Sequence, residues 1–232
     1  IKRVIQSRFD NGEIIEMDFA QLEFRVAAFL SQDSQAIQDI LEGVDVHQNT
    51  ANVIGCDRQT AKAHTFKPLY GGMSGTDEEK KYYSYFRKRY KGITLWQEQT
   101  EDTAISTSFV TLPSGRQYYF EGIKRASWGG SNFYTQVRNY PVQGFATGDI
   151  VPVACIDIYK SMKNMRTRLI NTVHDSIIID AHPEEVDSVL NKLKKACDGI
   201  TQSINKRYNI DFNVPLDYEI KKGHNWLDLK RI

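Results

Sequence analysis

The sequence predicts an α+β fold, in which strands near the two ends of the chain form one core and a mostly helical block is inserted between them. Three observations lead to this expectation. Residues 14–17 form an apolar run typical of a strand, residues 166–182 form two β-forming runs that meet at a turn near His174–Asp175, and residues 78–106 are charged, tyrosine-rich and helical in pattern.

Length, charge and cysteine content exclude several classes of protein. A chain of 232 residues can bury a hydrophobic core over one or two domains. Thirty Lys and Arg against 29 Asp and Glu give a net charge of +1, so a polyanion would have to bind at a local patch. Three widely spaced cysteines do not form a disulfide framework, and no apolar run reaches the roughly 18 residues of a membrane span.

In the first half of the chain, hydrophobic periodicity and capping residues predict helices. Residues 21–30 have their apolar side chains on one side of a helix, and residues 46–54 form a shorter one. Asp57 is the predicted N-cap of a helix through RQTAKAHTF. Helices are also expected over residues 78–106, so this half supplies most of the helical block.

In the second half of the chain, turn residues separate the predicted elements. Residues 109–120 form a hairpin by their turn residues and aromatic flanks, and a long helix is expected over residues 142–162, interrupted at Pro152. A helix opens at Pro183 and extends to residue 208. Residues 212–220, FNVPLDYEI, form a last strand.

Acidic residues stand next to two of the predicted strands. Asp18 ends the first apolar run, Glu23 follows one turn into the next helix, and Asp175 lies at the turn between two β-forming runs. Taken alone, Asp18 is a helix cap or a metal ligand, and Asp175 is a surface turn residue or a carboxylate aimed at a site. The pattern of these residues leaves both interpretations open.

The helix after Asp57 carries cations and aromatic rings at intervals of four residues. Arg58, Lys62, Phe66 and Tyr70 therefore share one helix face. Such a face suits a nucleoside triphosphate, since the cations meet phosphate oxygens and the rings offer flat surfaces to a base and sugar. An amphipathic helix with a solvated basic end explains the same pattern equally well.

Several segments resemble the motifs of family A DNA polymerases, the DNA polymerase I family. RQTAKAHTFKPLYGG resembles the fingers motif R-x3-K-x3-F/Y-x3-Y-G, MDFAQLEFR the first palm motif D-Y-S-Q-I-E-L-R, and VHDSIIID the second, V-H-D-E. DVHQNTANVIG, FVTLPSGRQYYF, RNYPVQGFATGDI and VPLDYEIKKGHNW are similar to further family segments, in the family's order. The resemblance covers nearly the whole chain.

The resemblance implies a polymerase palm, an antiparallel sheet with helices, that carries a helical fingers subdomain. Residues 1–45 and 131–232 would form the palm and residues 46–130 the fingers. The family's thumb and 3′–5′ exonuclease have no counterpart in this chain, so we expect a fragment or split subunit that works with an upstream polymerase segment. The divergent pattern leads us to expect a bacteriophage origin and the cytoplasm of a bacterial or infected host cell, with no membrane partner.

The resemblance also implies roles for individual residues. Asp18 and Asp175 would be catalytic and, with the backbone of Phe19, would hold two Mg²⁺ ions, for which Mn²⁺ could substitute. Glu23 would exclude ribonucleotides, and Lys62 would protonate the leaving pyrophosphate. The deoxynucleoside triphosphate would contact Phe19, Gln21, Glu23, His47, Arg58, Lys62, Phe66 and Tyr70. Primer–template DNA would contact Arg25, Arg116, Asn139, Gln143 and His174.

The chain departs from the family pattern at several positions. Ser176 replaces the usual acid after the second aspartate, and Pro68 stands in the fingers helix, where proline should kink the chain. An extra glycine follows Tyr70, and Thr135 replaces an arginine usual four positions before Asn139. We therefore expect altered fingers geometry.

Two other functions compete with a template-directed DNA polymerase. A single-subunit RNA polymerase shares the palm and fingers plan, but it needs an open gate where Glu23 stands and usually a tyrosine where Phe66 stands. An inactive polymerase-like accessory subunit would have no need of metal-binding carboxylates at Asp18 and Asp175. The sequence therefore favours a DNA polymerase.

Overall fold

The computed structural model describes residues 1–232, except for the side chains of Lys62 and Ala63. The chain divides into two compact units. The sheet unit contains Ile1–Leu22, Ala146–Phe212 and Leu216–Ile232, and the helical unit contains Glu23–Phe145 and Asn213–Pro215. The predicted α+β class is confirmed, whereas the assignment of residues 1–45, 46–130 and 131–232 to palm and fingers stays a prediction.

Six α-helices follow the first strand before the second strand begins. The strands are β1 Glu13–Ala20, β2 Phe109–Thr111, β3 Gln117–Tyr119, β4 Arg168–Val173, β5 Ser176–Ala181, β6 Asp217–Gly223 and β7 Lys230–Arg231. The helices are α1 Leu22–Ser31, α2 Ser34–Leu41, α3 Val46–Ile54, α4 Arg58–Leu69, α5 Asp77–Arg89, α6 Lys91–Thr107, α7 Tyr134–Phe145, α8 Val151–Ser161, α9 Val186–Asp198 and α10 Ile200–Tyr208. Short turns of 3₁₀ helix lie at Lys2–Val4 and Pro183–Glu185, and a π-helical turn lies at Ala146–Ile150. None of the helices in the described part of the chain is both long and apolar enough to cross a membrane.

The sheet unit is built on a five-stranded antiparallel sheet in the order β4-β5-β1-β6-β7. The central strand β1 and its neighbour β5 contribute many of the buried apolar residues of this unit. Ile15 and Met17 on β1 are fully buried, and all six residues of β5 are buried. Ile14, Ile178 and Trp226 form a buried cluster within this unit.

The turn between β4 and β5 has two residues, as the sequence predicts. Val173 pairs with Ser176, which leaves only His174 and Asp175 in the loop, and His174 has a φ of +54°. Two-residue hairpin loops favour positive φ because that backbone matches the twist of the strands. The hairpin turn therefore places Asp175 directly before the first residue of β5.

The helical unit begins most of its helices at side-chain caps. Asp57 accepts a hydrogen bond from Thr60 N at 3.0 Å, which confirms the predicted N-cap of α4. Thr76 and Glu79 form a capping box at α5. The β2–β3 hairpin packs with α6 and α7 around Ala104, Val110, Phe120 and Val137.

Several predicted boundaries are wrong. The helix expected over residues 142–162 begins at Tyr134, and the π-helical turn, not Pro152, interrupts it. Pro152 lies in the first turn of α8, where the missing backbone N–H costs little because it would have no partner within the helix. Gly199 divides the helix expected over residues 183–208, and the last strand starts at Asp217. Pro68 lies one residue before the end of α4, so it disrupts only the last turn.

Candidate active site

The predicted site residues fall in both units. In the sheet unit, Asp18 lies on β1 directly opposite Ser176 on β5 and Glu219 on β6. Phe19 N donates a hydrogen bond to the carbonyl oxygen of Asp175 at 3.3 Å. The structure thus brings the backbones of Asp18, on β1, and Asp175, in the loop directly before β5, next to each other, although they lie 157 residues apart in the sequence.

The position of Asp18 is that of a strand residue rather than a helix cap. Asp18 lies within β1, and α1 starts only at Leu22, after Gln21 turns the chain with a φ of +52°. Asp18 Oδ1 accepts a hydrogen bond from Ser176 Oγ at 2.8 Å. The hydroxyl that replaces the family's usual acid therefore fixes one oxygen of this carboxylate.

The sheet unit offers suitable ligands for Mg²⁺. Asp18 and Asp175 are half-buried carboxylates, and carboxylate oxygens are hard donors. Among the residues that the structure describes, no three His, Cys, Asp or Glu side chains are grouped to hold a metal. Mg²⁺ is usually bound through one or two carboxylates, with substrate phosphates and water as the other ligands, so a pair of aspartates fits it.

In the helical unit, two side chains hold the carboxylate of Glu23. The Tyr70 hydroxyl donates a short hydrogen bond to Glu23 Oε2, and Gln143 Nε2 donates to Glu23 Oε1 at 3.4 Å. Burial, together with the Glu23 charge, raises the pKa of Tyr70 above its ordinary value. The phenol therefore stays protonated and remains a donor to the carboxylate.

Three aromatic rings, His47 on α3 and Phe66 and Tyr70 at the C-terminal half of α4, lie next to one another. The rings of Phe66 and Tyr70 are parallel to within 10°, with centroids 6.3 Å apart. The His47 ring lies 5.5 Å from that of Phe66. The rings on α4 therefore share the helix face that the four-residue spacing predicts. Lys62 belongs to the same helix, but its side chain lies outside the described residues.

Asp45 connects two of the predicted triphosphate ligands. Its Oδ1 caps α3 by accepting from the backbone N of His47, and its Oδ2 accepts from Arg58 Nε at 2.7 Å. Burial raises the pKa of Asp45, but the hydrogen bonds from Arg58 and Gln48 outweigh it, and the net pKa is lowered. Asp45 therefore stays ionised, caps the start of α3 and orients the guanidinium of Arg58. Asp45 was not among the predicted site residues, although its position directly before a predicted helix is typical of an N-cap.

The predicted DNA contacts lie in different environments. Arg25 is 7% exposed and donates to the carbonyl oxygen of Pro215 at 2.6 Å, so it braces the backbone of the helical unit. Arg116 and His174 are exposed in hairpin turns of the helical and sheet units, respectively. Asn139 lies on α7, and within the described part of the chain its Oδ1 has no hydrogen-bond partner. The DNA-binding role of these residues stays a prediction.

The chain is similar in sequence to DNA polymerases. The model of the family described as DNA polymerase family A matches residues 1–228. DNA polymerase I of Caldicellulosiruptor bescii is 29% identical over an alignment that covers 94% of this chain and 27% of that protein. The thermostable DNA polymerase I of Thermus aquaticus is 25% identical, with 94% and 27% covered. The chain thus spans about a quarter of the length of these relatives.

A solved structure shows the same fold. The POL domain of Pol1 from M. smegmatis, in complex with DNA primer-template and dNTP, matches with a TM-score of 0.76 and 22% identity. The match covers 97% of this chain and 42% of that one. Because the family model matches all but four residues of the sequence, the chain belongs to DNA polymerase family A.

Proposed function

We propose that this chain is the catalytic region of a template-directed DNA polymerase, which adds deoxynucleotides to the 3′-hydroxyl of a primer. The observation that carries the proposal is the hydrogen bond of 3.3 Å from Phe19 N to the carbonyl oxygen of Asp175, which holds the backbone of Asp175 beside that of Asp18 on β1. A pair of neighbouring carboxylates provides the protein ligands that two-metal phosphoryl transfer requires. Membership of the family and the names of the relatives support the same activity.

Asp18 and Asp175 would hold two Mg²⁺ ions, with Mn²⁺ as a substitute and the carbonyl of Phe19 as a further ligand. The ions, when bound, acidify the primer hydroxyl and neutralise phosphate charge. This chain's own residues orient the ligands. Ser176 fixes one oxygen of Asp18, and the hydrogen bond from Phe19 fixes the main chain at Asp175.

The helical unit would bind the incoming deoxynucleoside triphosphate. Arg58, which is oriented by Asp45, and His47 would contact phosphate oxygens, and Lys62 would protonate the pyrophosphate. Phe66 and Tyr70 offer parallel ring faces to the sugar and base. Gln21 is expected near the nucleotide and the primer terminus.

Glu23 would select deoxyribose over ribose. Its carboxylate is fixed by the hydroxyl of Tyr70 on one oxygen and by Gln143 on the other. A fixed carboxylate cannot swing aside for a ribose 2′-hydroxyl, so it rejects ribonucleotides more strongly than a mobile one. This arrangement favours a DNA polymerase over an RNA polymerase.

Partners and origin follow from the same proposal. Primer–template DNA would contact Arg116, Asn139 and Gln143 of the helical unit and His174 of the sheet unit, and Arg25 would brace the backbone at Pro215 within the helical unit. An upstream segment would supply the thumb and the rest of the palm. We also propose a bacteriophage origin and action in the cytoplasm of a bacterial or infected cell, supported by the departures at Ser176 and Thr135.

Primer extension with labelled deoxynucleotides tests this function directly. The chain is assayed with Mg²⁺, alone and with a co-expressed upstream polymerase segment. Asp18→Ala and Asp175→Ala should lower extension at least a thousandfold, equivalent to a barrier increase of about 4 kcal/mol. The matched control is Glu13→Ala, on the same strand as Asp18 but on the opposite face. Full extension by either aspartate variant would refute the proposal.

A further inference from the structure

A path of hydrogen bonds crosses the sheet unit beside Asp18. Trp226 Nε1 donates to Glu16 Oε2 at 3.0 Å. Ser176 Oγ lies 3.2 Å from Glu16 Oε1 and 2.8 Å from Asp18 Oδ1. Glu16 and Asp18 are two residues apart on β1, so their side chains lie on the same face of the sheet. The path therefore runs without a gap from Trp226 to the candidate metal ligand.

The Ser176 hydroxyl sits between two carboxylates but has only one proton to donate. It lies closer to Asp18 than to Glu16, by 2.8 against 3.2 Å. A cation on Asp18 draws on the same oxygen lone pairs that accept from Ser176. A second acceptor is therefore needed if the hydroxyl is to turn away when the cation binds, and Glu16 Oε1 is that acceptor.

Glu16 also compensates for a departure from the family pattern. The acid that usually follows the second aspartate is absent at Ser176. Glu16 returns one carboxylate to the same face of the sheet from the neighbouring strand, as the diagonal neighbour of Ser176 across the β1–β5 pair. The indole of Trp226 fixes its orientation, so Glu16 is held in place to accept from the hydroxyl.

We propose that Glu16 is a positioning residue for the metal site, the acceptor to which Ser176 turns its hydroxyl when a divalent cation binds Asp18. The inference rests on the proposed metal-dependent function. It makes a distinctive prediction for Glu16→Gln. In that variant the new amide oxygen would accept from Trp226, which turns the amide N–H₂ towards Ser176. Ser176 could then donate only to Asp18, and the cation would have to displace it.

The test is a Mn²⁺ titration of the 232-residue chain, followed by the electron paramagnetic resonance signal of free Mn²⁺. Glu16→Gln should weaken Mn²⁺ binding by about tenfold, the lower end of the range for residues that orient metal ligands. Removing the hydroxyl in Glu16→Gln/Ser176→Ala should recover several-fold of that loss. Glu13→Gln, which makes the same charge change on the other face of β1, should stay within about twofold of the wild type.

The outcomes separate this inference from the proposed function. If the wild type binds no Mn²⁺, or Asp18→Asn binds as well as the wild type, both fail. If the wild type binds Mn²⁺ and Glu16→Gln binds equally well, only the role of Glu16 is wrong. Equal loss in the single and double variants would mean that Glu16 acts by its charge alone and would also overturn the inference. If circular dichroism shows Glu16→Gln unfolded, Glu16→Ala decides, because it too leaves Ser176 with Asp18 as its only acceptor in this path.

Discussion

Tyr70→Phe tests the proposed exclusion of ribonucleotides by Glu23, because it removes one of the two hydrogen bonds that hold the Glu23 carboxylate. The substitution removes one oxygen atom and keeps the ring that stacks on Phe66. Tyr70 is the stronger of the two donors to Glu23, because the bond from Gln143 is 3.4 Å long, at the weak end of the hydrogen-bond range. Without the phenol, the carboxylate is held on one side only and can move away from an added 2′-hydroxyl.

The expected size of the change in nucleotide preference follows from the charge of the Glu23 carboxylate, which accepts the hydrogen bond from Tyr70. A hydrogen bond to an ionised group contributes about 1.5–3 kcal/mol, and each 1.4 kcal/mol is a factor of about ten. We therefore expect Tyr70→Phe to lower the preference for deoxynucleotides over ribonucleotides by roughly ten- to a hundredfold. On the proposed role of Glu23, the change should appear as a higher kcat/KM for the ribonucleotide, since a more mobile carboxylate would reject the 2′-hydroxyl less strongly.

The assay is single-nucleotide incorporation with matched deoxy- and ribonucleoside triphosphates. Tyr134→Phe, which removes the same hydroxyl from the partly exposed ring of α7, is the control and should leave the preference unchanged. Since the pKa of Tyr70 is raised, the wild-type preference should also be flat from about pH 7 to about pH 9, below the ordinary phenol pKa of about 10. An unchanged preference in Tyr70→Phe would refute the bracing role.

Two further predictions concern stability, measured by urea unfolding. Gly71→Ala should lower the unfolding free energy by about 2 kcal/mol or more, because φ is +79° and the added Cβ would lie 2.7 Å from Arg138 Cδ. Gly115→Ala is the control: its φ is +84° but the added Cβ would meet open space, so it should lower the unfolding free energy by only about 1 kcal/mol. Asp39→Ala should cost about 3 kcal/mol, because the buried carboxylate accepts from a guanidinium and a phenol that would lose their partner. Burial raises the pKa of Asp39, but these bonds lower it on balance, so its contribution is present above the unfolded pKa of about 3.9 and is lost as pH falls through the folded value. Equal losses of unfolding free energy in the two glycine variants would contradict the first prediction. An unfolding free energy of Asp39→Asn that falls with acid as steeply as that of the wild type would contradict the second.

The sequence by itself determined the elements whose signals are local. Helix α3 has the predicted bounds, and α4 starts at its predicted cap, because a cap acts within three residues. The turn at His174–Asp175 is likewise a local backbone preference. The motifs also predicted Asp18, Asp175 and Glu23 as site residues, since a family pattern specifies residue type and order along the chain.

Only the tertiary structure decided which side chains meet. Glu16 is an ordinary acid in the sequence, yet the register of β1 against β5 places it 3.2 Å from Ser176, 160 residues away. The short strand β7 and the π-helical turn before α8 were not predicted, because neither has a local sequence signal strong enough to indicate it. Strand register depends on the whole buried face of a sheet, and a slip of one residue would turn Glu16 and Asp18 to the opposite side. Residue identity is therefore read from the chain, whereas the path from Trp226 to Asp18 exists only once the strands are paired.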